Sequence, residues 1–109
     1  MNPSREVVIT GLGVVSPIGV GREAFWQALC QGQSGVGPIT VFDARSMPVS
    51  FGAELKGFDA KQYVRPRKAL KVMCREIQTA FSASMLAIED ARFDPSQTAP
   101  ERIGAVFGA

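Results

Sequence analysis

The chain has no histidine among its 109 residues. A Ser/His/Asp relay, a Cys/His relay and a His-based metal site therefore cannot be built from it. Cysteine is nearly as scarce. Cys30 and Cys74 stand 44 positions apart with no C-x-x-C spacing. Each lies among helix-forming residues, which points to packed thiols in a reducing cytoplasm and away from a disulfide framework. No charge excess exists either: 12 basic against 10 acidic residues leave a net +2, too little to attract nucleic acid. Long hydrophobic runs are missing as well. The apolar start is cut by Thr10, Gly11 and Gly13, too early for a signal segment or a membrane span. These absences predict a cytoplasmic protein with no metal, membrane or nucleic-acid partner.

What remains is an ordinary globular composition, 46% hydrophobic and 20% charged, which argues against disorder. Residues 1–109 make one domain at most. Val7–Thr10 is continuous and β-branched, as in a strand covered on both faces of a layered α/β sheet. A loop rich in glycine follows, then a helix over about residues 22–31, with Phe25, Ala28 and Leu29 on one side and Gly32 as its stop. Residues 34–38 form a turn-rich linker, and 39–42 and 49–55 are short extended candidates. A long helix is predicted from Arg65 or Pro66 to Ala91, with Leu70, Met73, Ile77, Phe81, Ser84 and Ile88 on its core face. Ala80, Ser82, Ala83, Ser84 and Ala87 let neighbours approach closely. Residues 103–107 end the reading as a last strand with an unpaired edge.

Gly11-Leu12-Gly13 after a strand has the outline of a dinucleotide-binding G-x-G-x-x-G. Ser16 replaces the third glycine, Pro17, Gly19 and Gly21 postpone the helix, and Asp43 lies too far on to hold a ribose. The glycines read as a structural tight turn, and no cofactor is expected. Cys30 falls at a helix C-terminus and Cys74 inside a helix beside Arg75, so both read as core thiols, not nucleophiles.

Arg65, Arg67, Lys68, Lys71 and Arg75 form the one notable charge cluster. Arg67, Lys71 and Arg75 are spaced by four, one face of the predicted helix. Cations at its N-terminal half, and Glu89 and Asp90 at its C-terminal end, each cost about 0.3–1 kcal/mol against the helix dipole. Helix stability does not explain that pattern. The cluster reads either as a solvated face or as a docking patch for an acidic partner.

Taken in order, these segments resemble the N-terminal portion of a β-ketoacyl-acyl carrier protein synthase of the thiolase-like superfamily. The resemblance rests on Val7–Gly19, Phe25–Leu29 with Gly32–Val36, Ile39-Thr40 with Phe42-Asp43, Ala87–Ala91 and Arg102–Gly104. It implies an α/β thiolase-like layered fold, present as an incomplete N-terminal fragment truncated at its C-terminal end. It implies an acyltransferase catalysing a decarboxylating Claisen condensation in fatty acid or polyketide biosynthesis. There an acyl group rides on a cysteine, a malonyl thioester loses carbon dioxide, and the carbanion attacks the acyl thioester. The family's nucleophilic T-A-C-S segment and its two histidines have no counterpart here, so no catalytic residue is assigned and the chain alone is expected to be inactive. The resemblance favours docking for the basic cluster, with Arg67, Lys68 and Lys71 receiving an acidic acyl carrier protein, and a homodimer for the full-length protein. The alternative is a non-catalytic module, derived from a synthase, that binds carrier protein or a subunit.

Overall fold

The computed structural model describes residues 4–108; Met1–Pro3 and Ala109, the ends of the sequence-drawn unit, lie outside the described residues. Val15–Ser16 (β1) and Gly19–Val20 (β2) pair antiparallel across Pro17-Ile18, with the Ser16 hydroxyl donating to the Gly19 carbonyl at 2.9 Å. Gly21, at φ 89°, turns the chain into helix α1, Arg22–Cys30. The predicted stop holds. Gly32 takes φ 65°, its N–H donates to the Leu29 carbonyl, and the Gln33 N–H reaches back to Ala28 at 2.9 Å.

Val36–Pro38 (β3) and Phe51–Ala53 (β4) form a second antiparallel pair, with Val36 opposite Ala53 and Pro38 opposite Phe51. The strand thus lies in the stretch expected to be a linker, and the expected extension over residues 39–42 stops early. The cause is Glu54. Its carboxylate accepts the Thr40 N–H at 2.7 Å, the Thr40 hydroxyl at 2.7 Å and the Val41 N–H at 3.0 Å, removing those amides from any strand ladder. The Thr40 hydroxyl, then the two amides, hold the Glu54 carboxyl below its ordinary pKa. A depressed carboxyl contributes order above its unfolded pKa and loses it as pH falls through the folded value. Acidification is therefore expected to speed hydrogen exchange at Thr40 and Val41 before it does so in β3–β4, and Glu54→Gln removes that separation. Equal acid sensitivity in the wild type would show that the clamp is not formed.

The predicted long helix is two elements. Arg67–Val72 is 3-10, Met73 and Cys74 are extended, and helix α2 runs Arg75–Asp90. Gln78 stabilises the break by donating its side-chain amide to the Met73 carbonyl at 2.9 Å. The expected close packing of the small residues is present. The backbone at Gly11 lies on Ala87 and Ala91, and that at Gly13 on Ala83 and Ala87. Neither glycine has positive φ, so close approach to α2, not a tight turn, requires them. Arg92, at φ 52°, ends the helix.

Phe58, Ala60 and Val64 centre the core, with Val15, Val20, Leu55, Leu70, Met73 and Phe81 packed around them. Two predicted strands do not form. Val7–Thr10 and Ile103–Phe107 pair with no strand among the described residues and expose their apolar side chains. A strand exists only where a neighbour completes its hydrogen bonds, and neither segment has one. The radius of gyration is 17.6 Å, against about 13 Å for a compact chain of this length.

Candidate functional site

Of the cavities along α2 and α1, two are mainly apolar, and neither gathers catalytic groups among the described residues. The larger, about 630 Å³, is an apolar groove between Ile77, Ala80 and Phe81 of α2 and Phe107. The other, about 390 Å³, lies between Leu12–Val14 and Phe25–Trp26 of α1. No cluster of three metal-ligating side chains occurs among the described residues.

The cysteines are not core residues as expected; both are exposed. Cys30 ends α1, and Cys74 falls in the break before α2, where it occupies the N-cap position. Glu76, two residues on, has its carboxyl held below the ordinary range, first by its own backbone N–H and then by the neighbouring Cys74 side chain. No imidazole occurs anywhere in the chain to act as a base beside either thiol.

The basic cluster survives with a different geometry. Because residues 67–72 are 3-10 and a break follows, Arg67, Lys71 and Arg75 do not form a stripe on one α-helix. The dipole argument lapses with it for Arg67, Lys68 and Lys71, and holds only for Arg75 at the N-terminus of α2. Arg75, the first residue of α2, lays its guanidinium 4.8 Å from the centroid of the Phe58 ring, which stacks on Tyr63. Lys68 and Lys71 are instead brought together by their spacing of three, the 3-10 repeat. Ala69 and Leu70 turn to the core while Arg67, Lys68 and Lys71 are exposed. Among the described residues the ion pairs are Arg22–Asp90 and Arg45–Asp43, so these three cations are uncompensated. Asp90, misplaced for the α2 dipole, has its own reason: it accepts the Leu12 N–H at 2.9 Å and pairs with Arg22 at 2.7 Å.

Among the described residues, Arg67, Lys68 and Lys71 thus form an exposed cationic edge. The family described as Beta-ketoacyl synthase, N-terminal domain, matches residues 4–109. The chain belongs to that family. It is 42% identical over 104 residues to the 3-oxoacyl-(acyl-carrier-protein) synthase 2 of Synechocystis, covering 95% of this chain and 25% of the relative. The namesake protein of Coxiella burnetii is 42% identical over 105 residues, with 96% and 25% covered. The tetracenomycin polyketide synthase ketoacyl synthase beta subunit of Streptomyces glaucescens is 36% identical over 109 residues, with 100% and 26% covered. In structure the chain is similar to the ishigamide ketosynthase/chain length factor, at a TM-score of 0.73 and 34% identity, over 82% of this chain and 22% of that one. The fold class is therefore the thiolase-like α/β fold of a ketosynthase. The chain spans about a quarter of the length of these relatives.

Proposed function

We propose that residues 1–109 form part of the N-terminal domain of a β-ketoacyl synthase, and that Arg67, Lys68 and Lys71 dock its acidic acyl carrier protein. The activity of the whole protein is the decarboxylating Claisen condensation that elongates an acyl chain. Within it these residues build scaffold and landing surface, while the cysteine and histidines that make the bond belong to other parts of the polypeptide. The observation that carries the docking reading is the exposed, uncompensated charge at 67, 68 and 71 on a segment anchored by Ala69 and Leu70. A carboxylate-rich partner satisfies such cations, and the charge steers its approach. The reading extends to a homodimeric subunit working in the cytoplasm. Among the described residues no helix is long and apolar enough to cross a membrane.

The test uses these residues joined to the rest of a synthase. Lys68→Glu with Lys71→Glu is expected to weaken carrier-protein affinity by about tenfold or more at low salt, less at high salt. Acylation by a small free thioester stays unchanged. Unaltered carrier affinity would return the three cations to a solvated face. The 109-residue chain alone, given malonyl- and acyl-carrier protein, is expected to yield no β-ketoacyl product; a product would overturn the scaffold assignment.

A further inference from the structure

Residues 66–91 carry an unbroken helical pattern, so a continuous α-helix competes with the broken arrangement. Local bonding does little to favour the break. Arg67–Val72 is a 3-10 run of six residues, where more than about four is uncommon. Its last bond, from the Met73 N–H to the Leu70 carbonyl, is 3.4 Å long. Cys74, at the N-cap of α2, makes no side-chain cap bond. Packing does not fill the joint either, since an open cavity of about 180 Å³ lies among Phe58, Leu70, Arg75 and Gln78. What ties the two elements together is Gln78. Half-buried one turn into α2, it donates its side-chain amide to the Met73 carbonyl at 2.9 Å. An unbroken helix would pair that carbonyl with the Ile77 N–H instead.

The competing state would move the cations. In 3-10 geometry Lys68 and Lys71 lie in line along one edge, whereas in an α-helix they stand about 60° apart. The segment would also shorten by about 3 Å, because the rise per residue is smaller. Both changes re-aim Arg67, Lys68 and Lys71 and leave their charge intact. We propose that Gln78 is a positioning residue for carrier-protein docking: its bond to the Met73 carbonyl holds the broken form and so fixes the spacing and bearing of Arg67, Lys68 and Lys71. It acts through the backbone at Met73, not through a contact of its own with the partner. The inference rests on the docking reading and adds an uncharged residue to it.

The test uses these residues joined to the rest of a synthase. Gln78→Met keeps the side chain's length and helix propensity and removes the donor. It is expected to raise KM for malonyl-carrier protein about fivefold, the effect of losing one neutral hydrogen bond. The kcat, and acylation by a small free thioester, stay unchanged. Because no charge is lost, the salt dependence of carrier binding keeps its slope, while Lys68→Glu with Lys71→Glu flattens it. Adding Cys74→Ser to Gln78→Met is expected to return KM to within about twofold of wild type, because a serine N-cap sets the same helix start without a charge. An unchanged KM for Gln78→Met, an equal fall in kcat, loss of folding, or no rescue by Cys74→Ser overturns the proposal. Where the double lysine variant weakens carrier binding and Gln78→Met does not, this inference alone fails. Where neither weakens it, the docking reading fails and takes this inference with it.

Discussion

Gly13→Val is expected to destabilise the chain by about 3 kcal/mol, a larger effect than any surface substitution. A Cβ at residue 13 falls on the Ala83 carbonyl oxygen and 2.6 Å from the Ala87 nitrogen. Both obstacles are helix backbone, which cannot swing aside as a side-chain tip can. The Gly11–Gly13 segment must then lift from α2, and with it the anchor of residues 7–12. Gly37→Ala is the control, since a Cβ there meets nothing within 4 Å, and its change is expected within about 0.5 kcal/mol. Urea unfolding followed by circular dichroism compares the two. An unchanged midpoint for Gly13→Val would mean that the segment does not lie on α2.

Asp90→Ala is expected to cost about 2 kcal/mol, most of it from the hydrogen bond to the Leu12 N–H and little from the ion pair. A bond between a backbone donor and a charged acceptor contributes roughly 1.5–3 kcal/mol. The Arg22 pair has one partner 57% exposed, and solvent-screened pairs are worth about 0.2–1 kcal/mol. Arg22→Ala should therefore cost less than half as much, and Asp90→Asn, which can still accept the amide, should fall between them. If Arg22→Ala and Asp90→Ala were equal, the ion pair would dominate and this partition would be wrong. The same carboxylate ties the start of the chain to the end of α2, 78 positions apart. It explains an acid where the helix dipole disfavours one.

Much of this architecture was legible from residue types alone. Glycine after the last periodic residue marked the end of α1, because the turn there needs left-handed backbone. Small residues in the second half of α2 foretold a close neighbour, and the neighbour is the Gly11–Gly13 backbone. The break at Met73-Cys74 was not legible. Residues 66–91 carry an unbroken helical pattern, and only the Gln78 side chain and the stacking of Arg75 on Phe58 reveal why the helix starts late. The cations at 67, 68 and 71 were found by sequence, but their grouping by threes rather than fours was not. Cys30 and Cys74 were misread for a related reason: propensity reports that a helix is near, not which surface it turns to solvent.

Composition alone settled that no imidazole relay can arise within these residues, and local pattern settled where the chain turns and where α1 stops. Such features depend on neighbours a few positions away, whose energies the residue types largely set. Tertiary structure alone decided which apolar runs become strands, where α2 begins and which charges stay unpaired. Those outcomes depend on groups distant in sequence: Glu54 taking the Thr40 and Val41 amides, Asp90 taking that of Leu12, and Val7–Thr10 finding no strand beside it. A strand's hydrogen bonds lie between segments, so residues that favour extension still need a partner before a sheet exists.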